Sequence, residues 1–277
     1  MTECRELLKR TALVLNEARI GTATAGAGNS TTLSDTDAVD VESDDYYNDG
    51  TIFIENDSDA MIATVITDFA QTDCKFTFAT QARNIEAGDR YLAFTDDYTK
   101  DMLLRAVNSA INELPPIDGV DDTTLSTVAD QEAYNYPTNG WIITKLEIAT
   151  STTSPYGWVE WNHWYPSNDG TNDTIKFLPG RIPTSTGYLM RVTYEVYPSE
   201  MTADTDVLSN WYDADWVAWE AAKHALSWRM ASEEGQNPFI IAKHAEAEQK
   251  SMMYHAKHSK RVPRMLPRPI LGGWSKL

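Results

Sequence analysis

Hydrophobic positions along this chain change their period several times, and each change predicts an element. Over residues 3–18, Leu8, Ala12 and Leu15 fall on one stripe, joined by Thr11 and Ala18, while Arg5, Glu6, Lys9 and Arg10 lie largely elsewhere. That spacing predicts an amphipathic helix whose apolar face needs a partner. Gly21, Gly26 and Gly28 end the pattern and read as a linker. Helical spacing returns from about Asp97 to Leu114, through Leu103, Val107, Ala110 and Ile111, and Pro115-Pro116 stops it. This helix is expected to pack against the first. A third stretch, Asp213 to Ala231, sets Val217, Ala221, Ala225 and Trp228 on one stripe. Pro238 is suited to open a last helix, running through Ile241, Ala245 and Met252 to about His258.

Two intervening regions carry strand texture. Thr51 to Ile54, Met61 to Phe69 and Lys75 to Ala79 are short runs of β-branched and aromatic residues, with turn signals at Asn48-Asp49-Gly50 and Ala87-Gly88-Asp89. They predict a compact, barrel-like β insert. Further on, Tyr188, Met190, Val192, Tyr194 and Val196 alternate with Leu189, Arg191, Thr193, Glu195 and Tyr197, the period of a half-buried strand. Trp158 to Tyr165 and Thr174 to Leu178 flank Asn168-Asp169-Gly170 and predict a hairpin within a meander.

The expected class is therefore α+β: a helical frame, or helix bundle, interrupted by two antiparallel β regions, with an extended C-terminal arm. Its parts are an N-terminal helix and linker (1–27), the β-barrel-like insert (28–95), a frame helix (96–118), the β meander (119–200), C-terminal helices (201–258) and the arm (259–277).

Charge sharpens the picture at the end of the chain. The 277 residues carry a formal net charge of −18, yet Lys257 to Leu277 holds Lys257, Lys260, Arg261, Arg264, Arg268 and Lys276 and no acid. Pro263, Pro267 and Pro269 prevent helix there. Two readings follow, a disordered terminus or an extended basic arm anchored by Met265, Leu266, Ile270, Leu271 and Trp274. The acidic body argues against wrapping nucleic acid, which requires a basic footprint. Hydrophobic residues make up 42% of the chain, enough for a core, and no apolar run reaches membrane-spanning length. No signal-peptide pattern opens the sequence, and Cys4 and Cys74 lack metal-ligand spacing, which suits reduced thiols in a protein made in the cytosol.

Chemistry-bearing motifs are sparse. There is no Walker loop, GxSxG elbow, HExxH or Rossmann fingerprint, so neither an enzyme nor a cofactor or metal site is expected. Asp35, Asp37, Asp40, Glu42, Asp44 and Asp45 invite a calcium reading, but Val39 stands where an EF-hand needs an oxygen ligand. A solvated acidic loop is the simpler expectation. His163, His224, His244, His255 and His258 show no metal spacing, and His255 and His258 suit a helix C-terminus. Trp158, Trp161, Trp164 and Tyr165, around Glu160 and His163, are the best candidate for a sugar-binding or glycoside-cleaving site. In one continuous strand, Trp161 and Tyr165 would share a face, and Trp158 and Trp164 the other. One face would be core and the other a possible subunit interface.

Three segments together resemble a known family. Thr123 to Pro137 (TTLSTVADQEAYNYP) resembles the "TLxTVAxQxxYxLP" run that leads from an amphipathic helix into a small β region in head-to-tail connector proteins, the neck adaptors of tailed phages; Tyr136 stands in place of the usual leucine. Tyr194 to Asp206 resembles the exit from that region, and Trp216 to Arg229 the Ala-rich helix that follows. The similarity spans about residues 97–258. The insert from Thr31 to Phe94 departs from the compact adaptors and leaves open another tail or baseplate role. The resemblance implies a non-enzymatic virion protein of the neck, assembled in the host cytoplasm. It would form a homo-oligomeric ring, usually of twelve subunits, between portal protein and the next neck or tail protein, with genomic DNA passing through unbound. The arm residues Arg261, Arg264, Met265, Leu266, Arg268, Ile270, Leu271 and Trp274 would then bind the portal.

Overall fold

The computed structural model describes residues 2–15, 18–24, 30–38, 42–56, 61–138, 142–168, 170–231 and 237–258. The chain forms two compact units, one from Met1–Leu114 with Pro198–Leu277 and the other from Pro115–Tyr197.

In the first unit β1 (Thr2–Glu3) leads into α1 (Cys4–Leu15), followed by β2 (Arg19–Thr22), β3 (Thr32–Ser34), β4 (Thr51–Glu55), β5 (Ile62–Ala70), β6 (Lys75–Phe78), β7 (Arg90–Ala93) and α2 (Lys100–Asn112). The second unit holds β8 (Ile117–Ser126), β9 (Ala133–Asn135), β10 (Ile142–Ala149), β11 (Trp158–Glu160), β12 (Trp164–Asn168), β13 (Asp173–Phe177) and β14 (Leu189–Val196). The chain re-enters the first unit through β15 (Val207–Leu208), α3 (Ala214–Ala231) and α4 (Pro238–His258).

The expected helical frame with two β interruptions is overturned. The described residues form a mostly β-rich fold with four α-helices and several sheets, the largest a curled six-stranded half-barrel in the order β2-β7-β4-β5-β6-β3. Long helices announce themselves locally, whereas short strands are stabilised by partners distant in sequence. Arg19 to Thr22, expected as linker, becomes a strand because β7 offers an open edge, with Arg19 opposite Ala93 and Thr22 opposite Arg90.

Inside the half-barrel, Leu33, Ile52, Ile54, Ile66, Phe69, Phe76 and Tyr91 form one core. Strand β4 is buried on both sides, because Phe53 points away from that core and meets Phe94 edge-to-face at 6.0 Å. Gly50 closes the turn before β4, where an added Cβ would overlap the Phe94 carbonyl oxygen. Helix α2 begins at the N-cap Thr99, whose hydroxyl accepts from the Met102 N–H. Lys9 on α1 pairs with Glu55 on β4, and Lys100 on α2 donates to the Ala63 carbonyl on β5 at 2.8 Å. Helix α3 packs against α1, α2 and α4, so its buried set extends beyond a single stripe to Trp216, Ala218, Glu220, Ala222 and Leu226, while Trp228, expected on that stripe, is exposed.

In the second unit a four-stranded sheet (β11-β10-β14-β8) and a three-stranded sheet (β12-β13-β9), both antiparallel, contribute to one core. Tyr134, Tyr136, Leu146, Ile175, Phe177, Met190 and Val192 fill it. The alternation along β14 thus buries Met190 and Val192, while Tyr194 and Val196 are only partly covered.

Candidate functional site

The tryptophan-rich segment does not run as one strand. Trp158 lies on β11, paired to β10 in the larger sheet, whereas Trp164 and Tyr165 lie on β12, paired to β13 in the smaller one. The chain changes sheets between Glu160 and Trp164, so period-2 faces do not carry across. Trp161 and Trp164, expected on opposite faces, both pack against the same core. Trp158 instead lies under the Arg191 guanidinium, 4.6 Å from its ring centre, with Tyr156 6.0 Å away. Tyr165 is exposed. Of the four interface candidates, two are therefore largely committed to their own unit, and the aromatic face of a third is covered by a cation.

Beside Trp158, Glu147 is buried on the sheet face opposite Leu146 and Ile148. It receives Arg191 Nε at 2.7 Å and Lys145 Nζ at 2.8 Å. Burial opposes its ionisation, but those two cationic donors outweigh it and hold the carboxyl below its ordinary range. Glu160 stands opposite Glu147 in the strand register. Two carboxylates in which one is locked between cations do not make an acid–base pair.

The acidic loop is partly tied down rather than wholly solvated. Asp35 is buried and accepts from Tyr91 Oη at 2.8 Å, Glu42 pairs with Arg19, and Asp44 accepts the Gln71 N–H at 2.7 Å. Asp40 lies outside the described residues. The Arg19–Glu42 pair borders an open cleft of about 560 Å³, lined also by Ile20, Tyr46, Tyr47 and Asp97. Its two central charges satisfy one another. Both cysteines are free and buried, and burial pushes the Cys4 thiol to about 11.

A second polar cluster, unannounced by any motif, lies among the helices of the first unit. Glu113 caps the C-terminal end of α2, Glu220 and His224 are four apart on α3, and Ser251 and His255 are four apart on α4. Glu220 is 1% exposed; one oxygen contacts Lys223 Nζ and the other accepts from Ser251 Oγ. His224 Nε2 lies 3.1 Å from Glu113 and 3.9 Å from Glu220, yet it is buried with no partner in hydrogen-bonding geometry among the described residues. His255 Nε2 approaches the far Glu220 oxygen at 3.9 Å. Burial pushes His224 below its ordinary value against the pull of Glu113; burial and then the Lys223 charge push His255 the same way. Glu220 and His224 are four apart in a sequence whose histidines read as showing no metal spacing, and Glu113 and His255 join them only through helix packing.

The portal-binding candidates Arg261, Arg264, Met265, Leu266, Arg268, Ile270, Leu271 and Trp274 lie outside the described residues. Among the described residues no helix is long and apolar enough to cross a membrane. No protein-family model and no curated protein matches the chain.

Proposed function

We propose that the protein is a structural connector of a tailed-phage virion, a ring-forming neck component between the portal and the tail. The observation that carries this reading is where the three resembling segments fall. The β unit of residues 115–197 is one continuous excursion that leaves α2 and returns to α3. The segment Thr123 to Pro137 lies at its start, Tyr194 to Asp206 at its end, and Trp216 to Arg229 within α3.

The return segment is firmly built. Asp206 accepts the N–H groups of Thr202 and Ala203 at 2.7 and 2.8 Å, and its own carbonyl accepts the Cys4 N–H at 2.7 Å. Those side-chain hydrogen bonds lower the Asp206 pKa, keeping the acceptor ionised. The start of α1 is thereby tied to the connection that precedes α3. Apolar side chains at Trp211, Met252 and Met253 are exposed and available to neighbouring copies. An acidic body would present a wall to which DNA does not adhere, while the basic arm would pair with portal carboxylates. Ring symmetry would multiply a modest contact per arm.

The alternative of a glycan-binding protein requires an open aromatic platform, and the Arg191 cover on Trp158 and the core packing of Trp161 and Trp164 speak against it. Electron microscopy of the full chain, alone and with portal protein, tests the proposal. The expected result is closed rings that dock on the portal, with docking lost when residues 262–277 are deleted. Monomers at every concentration that also fail to join a portal would overturn the connector reading; normal docking of the truncated chain would overturn the arm's part in it.

A further inference from the structure

We propose that Glu113, Glu220 and His224, with His255 as a fourth donor that turns inward on binding, form a divalent transition-metal site of the Zn²⁺ type linking α2, α3 and α4. One ligand atom from each of the first three residues lies within 4.8 Å of the others, including the 3.1 and 3.9 Å approaches of His224 Nε2 to the two carboxylates. Tetrahedral zinc holds N and O donors at about 2.1 Å, which separates them by about 3.4 Å. The observed spacings bracket that value. Carboxylates and imidazoles projecting inward from packed helices are a general way to build a metal site.

Charge supplies a second, independent argument. Glu113 and Glu220 bring two negative charges to a seam in which, among the described residues, Lys223 is the one cation in contact with both. With neutral imidazoles, the two carboxylates and Lys223 leave the cluster one excess negative charge, which the half-exposed Glu113 shares with water. A divalent cation would neutralise both carboxylates. Lys223 marks the electronegative centre and stands in for that ion; its side chain is 25% exposed, so its flexible stem can carry the ammonium out to water. His224 Nε2, buried and without a partner in hydrogen-bonding geometry among the described residues, would find one in a metal ion bound through its lone pair. Glu113 and His255, each 48% exposed, leave the cluster an entrance and room for a water ligand. Ser251 already orients Glu220 from α4, as supporting groups around metal ligands do.

The test is titration of the chelator-treated full chain with ZnCl₂ by calorimetry, with CoCl₂ as a coloured probe and thermal melting in parallel. One Zn²⁺ per chain is expected, and His224→Ala should weaken it at least tenfold. Zinc at a hundred times its dissociation constant should raise the melting temperature by about 5–10 °C. Lys223→Met should melt lower than wild type without metal, bind Zn²⁺ about tenfold more tightly, and recover its melting temperature when zinc is added. A purely structural ion-pair network would give the first of these effects without the other two. Glu113→Gln and His255→Gln, at half-exposed positions, provide the same reading if a buried substitution prevents folding. His163→Ala in the second unit should leave affinity unchanged. Zinc affinity unaltered in His224→Ala, or no zinc binding by both wild type and Lys223→Met, would overturn the proposal. Neither outcome bears on ring formation.

Discussion

The two units bury their aromatic residues in different ways. In the half-barrel, Phe76 is fully buried and touches the rings of Tyr47, Phe69 and Tyr91 at 5.5, 4.9 and 5.3 Å. In the second unit, Trp161 and Trp164 only partly cover their core, and Trp158 packs under Arg191 on the far side of the sheet. The difference follows from closure. A curled sheet of six strands encloses an interior, while two small sheets meet over one layer and leave their other faces to water. The first arrangement suits a stable body, and the second spreads aromatic and charged groups over accessible surface.

The comparison predicts a graded response to mutation. Phe76→Ala should be the most damaging, costing about 4 kcal/mol, because its interlocked ring neighbours cannot collapse into the space. Trp164→Ala should cost about 2 kcal/mol, since part of that ring already meets solvent. Urea unfolding of both variants measures the difference, and equal losses would remove the distinction between the two cores.

The smallest expected effect sharpens the contrast at a charge. Glu147→Gln should cost about 1.5 kcal/mol at neutral pH, chiefly by leaving Arg191 less well paired; Lys145 is more exposed and contributes less. Lys145 on the same strand, Arg191 on β14 and Glu160 on β11 are the charged groups set around this carboxyl among the described residues. Its folded pKa lies below the ordinary 4.5, so the stabilisation is present above that value and disappears as pH falls through the folded pKa. Wild type should therefore lose stability more steeply than Glu147→Gln on acidification below about pH 4.5, as followed by unfolding at stepped pH. Parallel pH profiles would show that Glu147 is not held by its cations. Glu220 makes the opposite case. Glu147 has two cationic partners, whereas Glu220 shares Lys223 with Glu113, and that imbalance motivates the metal proposal.

Much of the helical content was legible in local spacing. The predicted segment at 3–18 contains α1, the segment from Asp97 to Leu114 contains α2, and α4 runs between Pro238 and His258. The apolar runs of the first β region likewise coincide with β4, β5 and β6. Strands β2 and β3 were not legible, since their three or four residues acquire strand character only by pairing with β7 and β6. The tryptophan segment misled for a related reason: a period-2 reading assumes one sheet, and the chain changes sheets within it.

The sequence by itself determined the buried stripes of α1 and α2, the acidic body with its basic C-terminal stretch, and the turn at Asn48-Asp49-Gly50, because each depends on residues a few positions apart. The tertiary structure decided that β-sheet, rather than helix, dominates the fold. It decided which tryptophans are core, and it brought Glu113, Glu220, His224 and His255 into one cluster. Those outcomes depend on pairing and packing between segments tens to more than a hundred residues apart, which no local period encodes.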